Sequence, residues 1–372
     1  MSWFYLSFFA IYSAMHAALY LRLRPLLPAF RGRWAVALLF AALMVLAPFF
    51  ARLSEREGHH ALAWTWAVVA YWWMGLCALG FLNALLSWLV QGGLTLLKAW
   101  TPLAVPDLGP RFFAAAVLTL TLALTAFGAW EAGSPRLERL AMTTDKLPAG
   151  RERVVVALVS DVHLSIMTTQ RRLRALVELV AAQHPDLVVS SGDMIDGTLF
   201  QQDDLAALWA ALKPPLGKFA VTGNHEFYIG LDTALAYLDR CGFTVLRGQA
   251  VSPGGVLALA GVDDPAFPGA RAEEARALDA VSPGLYTILL KHRPSVEAAS
   301  LGRLDLQLSG HTHGGQVFPF NYVTGAVYPM QEGLYRLGKG TSLYTSRGSG
   351  TWGPPLRIGS PPEVTVIEIK RQ

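Results

Sequence analysis

Residues 154–163 read VVVALVSDVH: a valine-rich strand over Val154–Val159, then Ser160 and the triplet Asp161-Val162-His163. In an extended chain residues i and i+2 point the same way, so Asp161 and His163 are expected to present a carboxylate and an imidazole side by side. The pattern recurs downstream. Gly192-Asp193-Met194-Ile195-Asp196, Gly223-Asn224-His225-Glu226, His292 and Gly310-His311-Thr312-His313-Gly314-Gly315-Gln316 each follow a strand-like run, and five of the nine histidines fall in these clusters.

Outward from that stretch, short β-branched strands alternate with amphipathic helices. Helices are expected over residues 169–183, 203–212 and 231–240. Further strands are expected at 187–190, 219–222, 244–246, 256–260, 286–290, 304–308, 342–345 and 364–369. This is an α/β reading: a sandwich of mixed sheets flanked by helices, with the polar clusters on loops beyond the strand ends, where ligands gather in such folds.

The first 130 residues have another character. Over the whole chain 53% of residues are hydrophobic and 16% charged, whereas about 25% charged is usual for a soluble domain. Four charge-free apolar runs, at 3–21, 34–51, 61–90 and 112–130, approach or exceed the ~18–20 residues that a helix needs to cross a bilayer. An all-α transmembrane bundle of four helices over 1–130 is therefore expected to precede the α/β part, with residues 131–152 as a juxtamembrane linker and 153–372 as the catalytic domain. Trp3, Trp34, Trp88 and Trp130 lie near the ends of the runs, as interfacial aromatics do. The third run is long enough for one tilted helix or a hairpin; with no turn signal near Gly80, one helix is the reading adopted. His16, inside the first run, reads as a neutral packed imidazole.

Charge is split between the parts. Residues 1–150 carry 11 Lys/Arg against 6 Asp/Glu, and residues 151–372 carry 20 against 21. The second part thus lacks the basic stripe of a nucleic-acid binder, and no nucleic-acid partner is expected. Two cysteines, Cys77 and Cys241, are too few for a disulfide framework or a thiolate metal site. Arg22, Arg24, Arg31, Arg33, Lys98 and Arg111 flank the 1–2 and 3–4 loops against Arg52, Arg56, Arg136, Arg139 and Lys146 on the other side, which favours an extracytoplasmic catalytic domain in the cell membrane.

Carboxylate, amide and imidazole donors together suit Mn, Fe or Zn. Gly192, Gly223 and Gly310 stand just before these donors and permit positive φ or close backbone approach. In order, D-x-H, G-D-x-x-D, G-N-H-E, H and G-H-x-H resemble the motifs of calcineurin-like metallophosphoesterases over about residues 151–372. Residues Thr345-Ser346-Arg347-Gly348, Pro361-Pro362-Glu363 and the Gly-Gly-Gln after His313 are similar to the bacterial membrane-associated branch.

The resemblance implies two divalent ions and hydrolysis of a phosphoester or pyrophosphate bond through a hydroxide bridging them. It implies Asp161, His163 and His313 at one ion, Asp193 bridging, and Asn224, His292 and His311 at the other, with His225 as general acid or charge stabiliser and Asp196 orienting it. Gly197 replaces the arginine that phosphoprotein phosphatases of the superfamily carry there, which argues against phosphoprotein, while a membrane anchor raises the effective concentration of lipid-linked or membrane-proximal substrates, lipid or small-molecule. Lys291, Arg293 and Arg347 are candidate phosphate contacts, with ordinary solvated charges the alternative. Residues 317–330 (VFPFNYVTGAVYPM) are uncharged and aromatic: a packed β-hairpin is the plain reading, a lid or lipid-facing lip the other. A membrane receptor with a catalytically silent domain is the competing class, and a transporter a third, for which the four runs offer almost no polar residues.

Overall fold

The computed structural model describes residues 2–104, 106–197, 203–267 and 270–372, which divide into two compact units. The first holds residues 1–130 and 353–356, the second residues 131–352 and 357–372.

In the first unit four helices carry the apolar runs: α1 (Ser2–Leu23), α2 (Arg33–Arg56), α3 (His60–Trp100) and α4 (Pro110–Ala132). All four are long and apolar enough to cross a membrane. Their shared core is small, built on Tyr12, Leu19, Val45, Cys77, Ala84 and Val117, while Leu38, Leu39 and Leu89 point outward. α3 buries mostly small residues, Ala63, Ala67, Ala70, Gly75, Gly80 and Ala84 among them, and large apolar side chains left outside such a seam suit a lipid solvent. The third run is a single helix of 41 residues. At about 1.5 Å per residue it is roughly 60 Å long, twice the hydrocarbon thickness of about 30 Å. Trp88 consequently stands well inside α3 and not at its end, while Trp34 and Trp130 do stand at helix ends; the Trp3 side chain lies outside the described residues. His16 is satisfied on both sides: its Nδ1 lies 2.7 Å from the Tyr12 carbonyl and its Nε2 accepts from Trp73 Nε1–H at 2.8 Å.

The second unit is a sandwich of two six-stranded sheets with helices on both outer faces. In chain order it runs β1 (Arg136–Thr144), β2 (Arg153–Val159), α5 (Gln170–Ala181), β3 (Leu187–Ser190), α6 (Asp203–Ala211), β4 (Lys218–Ala220), α7 (Asn224–Ile229), α8 (Leu231–Arg240), β5 (Thr244–Val245) and β6 (Gln249–Val251). It continues through β7 (Ala258–Gly261), α9 (Ala270–Asp279), β8 (Thr287–Leu290), β9 (Leu306–Ser309), α10 (Phe320–Val327), β10 (Gly333–Gly338), β11 (Thr341–Thr345) and β12 (Glu363–Arg371). One sheet is ordered β1-β12-β2-β3-β4-β5, the other β10-β11-β9-β8-β7-β6.

Alternation along β2 explains the layering. Val154, Val156 and Leu158 face the core between the sheets, with Ile288, Leu290, Leu306 and Leu308 opposite. Ala157 and Val159 face outward to Leu173, Leu176 and Trp209 from α5 and α6. Both faces are buried, so the strand reads as a continuous apolar run. β2, β3 and β4 are parallel neighbours, as are β7, β8 and β9, so each set ends its strands on one edge of its sheet.

Two expectations are corrected. The segment expected to be a linker, residues 131–152, contains β1, paired in parallel with β12 in register from Arg136↔Glu363 to Thr144↔Arg371. It is an edge strand, and its Arg136, Glu138 and Arg139 are the charges that protect such edges and disguise the strand in sequence. The 317–330 segment is no hairpin: it contains helix α10, none of whose residues is buried.

Candidate metal centre

The turns after β2, β3, β4, β8 and β9 converge. Between β2 and β3 the backbone ladder runs on past the strand ends: Asp161 N–H donates to Gly192 O at 3.0 Å, His163 N–H to Asp193 O at 3.1 Å and Leu164 N–H to Met194 O at 2.9 Å. Asp161 and His163 are thereby held beside Asp193. They do not sit on extended chain, as the i, i+2 reading expected. Asp161, His163, Asp193, His311 and His313 have φ between +50° and +72°, five of the eight described non-glycine residues with positive φ. Such conformations cost of order 1–3 kcal/mol each and cluster at functional sites.

Of the three glycines singled out, Gly192 has the positive φ, +105°. The other two serve close approach: a Cβ on Gly223 would lie 2.1 Å from Asp193 Oδ1, and one on Gly310 2.0 Å from Ser160 Oγ.

The donor atoms are spaced as ligands of common ions. His163 Nε2 is 3.0 Å from His313 Nε2, which is 3.4 Å from Asp161 Oδ1. His292 Nε2 is 3.1 Å from both Asp193 Oδ2 and His311 Nδ1. Donors about 2.1 Å from one cation stand about 3.0 Å apart at octahedral and about 3.4 Å at tetrahedral angles. Three groups could hold an ion: Asp161/His163/His313, His163/Asp193/His225 and Asp193/His292/His311. Asp193 Oδ2 stands between the outer two, 3.1 Å from His292 Nε2 and 3.9 Å from His163 Nε2. Asn224 Oδ1 is buried with no hydrogen-bond partner among the described residues, as an oxygen kept for a cation would be.

Electrostatics support the same reading. Burial pushes His163 down to about 4 and His311 down to about 3, and lowers His313, so these rings are neutral and carry free lone pairs. Burial alone would raise Asp161 and Asp193, but His313 and His292 respectively hold them well below the usual carboxylate range. Burial would lower His292, yet the Asp193 carboxylate carries it up to about 10: the pair demands a positive charge between them, from a proton or a metal.

The outer contacts orient the rings. His292 Nδ1 lies 2.9 Å from Ser191 O, and His311 Nε2 lies 3.1 Å from the Tyr328 hydroxyl, leaving the opposite nitrogens to the cluster. His225, although within reach of His163 and Asp193, has a carboxylate partner of its own: Nδ1 is 2.7 Å from Asp196 Oδ1, and its backbone N–H donates to Asp193 Oδ1 at 2.9 Å. Burial lowers its basicity, but the Asp196 hydrogen bond and Asp193 outweigh this and raise its pKa above 6.5.

Each of the three cationic candidates is paired with a carboxylate. Lys291 is buried against Glu274 at 2.7 Å, Arg293 meets Asp264 with Nε at 2.8 Å and Nη2 at 2.9 Å, and Arg347 bridges Glu138 and Glu363. Two residues have positioning roles that the sequence reading did not assign. Glu226 accepts four backbone N–H groups, from Gly223, Met194, Asp193 and Ile195, and so locks the turn after β3 to the turn after β4. Arg357, fully buried, donates to the carbonyls of Gly350, His313 and Ser360 and lies 3.1 Å from His313 Nδ1. Glu226 was visible inside its motif, but a lone arginine between Leu356 and Ile358 looks like any other.

The comparisons agree with this geometry. The calcineurin-like phosphoesterase family profile matches residues 154–315, which contain every donor above. An uncharacterized metallophosphoesterase of Aquifex aeolicus is 39% identical over 258 residues, covering 68% of this chain and 98% of its own. A transmembrane protein with metallophosphoesterase domain from Danio rerio is 30% identical over 270 residues, and this chain spans 62% of its length. A dimetal phosphatase structure from Danio rerio aligns at 15% identity and a TM-score of 0.34, over 53% of this chain and 88% of that one. With nearly the whole Aquifex protein matched and the donors of the motif set gathered from strand ends of both sheets, the chain belongs to the calcineurin-like metallophosphoesterases.

Proposed function

We propose that this phosphoester hydrolase acts with two divalent ions while anchored in a membrane by α1–α4, on a lipid-linked or membrane-proximal phosphoester or pyrophosphate. Asp161, His163 and His313 would hold one ion, Asn224, His292 and His311 the other, and Asp193 both. When bound, two such ions lower the pKa of water and neutralise the phosphoryl oxygens for in-line attack. The observation that carries the reading is the convergence of six of these donors, Asp161, His163, Asp193, His292, His311 and His313, at ligand spacing, with the buried Asn224 Oδ1 left unpaired among the described residues.

The chain's own residues supply the proton. Asp196 accepts from His225 Nδ1–H at 2.7 Å, which keeps the ring oriented and its Nε2–H available for the leaving oxygen. The His225 and His163 rings meet edge to face at 4.7 Å, so the proton is delivered beside the first ligand group.

The positive-inside comparison supports an extracytoplasmic catalytic unit by six charges at the 1–2 and 3–4 loops against five, Arg52, Arg56, Arg136, Arg139 and Lys146, on the other side. Reporter fusions at the C-terminus test it. The reaction is tested with purified full-length protein, Mn²⁺ and bis-p-nitrophenyl phosphate. Metal-dependent turnover that disappears in His225→Ala supports the reading; bound metal without turnover under any divalent ion sinks it and favours a ligand-binding receptor.

A further inference from the structure

We infer that α10 and its flanks form an apolar seat for the hydrocarbon chain of an amphiphilic phosphoester whose phosphate lies at the Asp161–His313 cluster. This rests on the hydrolytic reading above and names the part of the substrate that the metal centre itself does not recognise.

From Val317 to Met330 the sequence carries no charge. Phe318, Phe320, Tyr322, Val323 and Val327 are between 44% and 69% exposed, a density of bare apolar side chains that a soluble surface does not maintain without a use. This surface is fastened to the ligand loop at both ends. Gly315, with φ +80°, brings the ligand loop so close to Asn321 that a Cβ there would lie 2.3 Å from Asn321 Cα. At the far end the Tyr328 hydroxyl sits 3.1 Å from His311 Nε2.

The apolar character continues around the proton donor. Gln316 exchanges two hydrogen bonds with the Trp352 backbone, at 2.8 and 2.9 Å. The Trp352 ring, half exposed, lies 6.0 Å from the His225 ring, and exposed Tyr228 lies 5.3 Å from it. A remote protein partner would not need its seat built on the ligand loop, whereas a substrate chain would. The four bilayer-length helices of the same polypeptide place it where amphiphiles are the available esters.

The test uses full-length protein in detergent micelles with Mn²⁺ and a series of alkyl p-nitrophenyl phosphates, methyl to octyl, which share one leaving group. Each methylene fully buried is worth about 0.8 kcal/mol, roughly fourfold, so even partial burial raises kcat/KM at least about tenfold from methyl to octyl. The triple variant F320S/V323S/V327S should lose that rise while hydrolysing the methyl ester as the wild type does. Equal rates for methyl and octyl esters in the wild type, or an undiminished octyl preference in the variant, would overturn the inference. So would a variant that changes oligomeric state alone, since the face would then join two copies. A binding measurement keeps the two claims separable: Val323→Cys carrying an environment-sensitive dye should shift to the blue with dodecyl phosphate and not with inorganic phosphate. If no ester is turned over, the hydrolytic reading fails while this shift still decides the seat, and its absence overturns the seat.

Discussion

Replacing Glu226 by Gln changes one atom and tests how the two halves of the centre are held together. The buried carboxylate takes Met194 N–H at 2.9 Å and Ile195 N–H at 3.3 Å on Oε1, and Gly223 N–H at 2.7 Å and Asp193 N–H at 3.1 Å on Oε2. Glutamine offers one oxygen, so its NH₂ must face one of these pairs. Two buried N–H groups lose their acceptor at about 1–3 kcal/mol each, about 2–6 kcal/mol in all. An opposing effect exists: burial and the Asp193 charge push Glu226 up to about 7, and a protonated Glu226 would resemble glutamine. Four converging donors require the ionised form, and the expectation rests on their winning. Hydrogen exchange of the backbone amides over residues 187–226 in the full-length protein reads the outcome locally. Protection should fall by about 30-fold or more, at about 1.4 kcal/mol per factor of ten. Protection within threefold of the wild type would refute the account of Glu226 as the carboxylate that couples the two turns.

Other expectations follow from the same contacts. Asp196→Asn leaves an acceptor oxygen but removes the charge that helps to raise the His225 pKa, so the alkaline limb of the pH–kcat profile, where the proton donor is lost, should move to lower pH; an unmoved limb removes His225 from the role of acid. Gly223→Ala puts a methyl group 2.1 Å from Asp193 Oδ1, and the shift this forces should lower kcat at least about 100-fold, as misplacements near 1 Å do; near-normal kinetics would show the turn to be looser than described. Arg357→Met strips buried carbonyls at Gly350, His313 and Ser360 of their donor and should destabilise the second unit by about 2–4 kcal/mol in denaturant unfolding, with no change in a variant of exposed Arg336 as control.

The parts of the fold that sequence revealed are those where one pattern dominates. Val154–Val159 announces its strand because both of its faces are buried, and the apolar runs announce helices by length alone. β1 was hidden because an edge strand bears Arg136, Glu138 and Arg139 in place of an apolar repeat. α10 was hidden because none of its residues is buried and its apolar residues at helical spacing, Phe320, Val323 and Val327, are interleaved with Tyr322 and flanked by Phe318 and Tyr328 in an uncharged run.

For the site, every donor was legible as a residue type after a strand, but its backbone was not. Left-handed φ at Asp161, His163, Asp193, His311 and His313 is imposed by the surrounding contacts, such as Asp161 N–H to Gly192 O, and no local propensity of Asp or His foretells five such turns. The pairing of Lys291, Arg293 and Arg347 was hidden for a related reason: a cation next to a motif does not show its carboxylate, Glu274, Asp264 or Glu363, which arrives from elsewhere in the chain.

The central claim is that seven side chains form a seat for two cations, and elemental analysis of purified full-length protein after equilibration with Mn²⁺ and removal of free ion tests it most directly. The account predicts two ions per chain in the wild type, and Asp193→Ala, which loses the carboxylate shared by both groups, should retain fewer than one. One ion or none in the wild type, or two in Asp193→Ala, would contradict it.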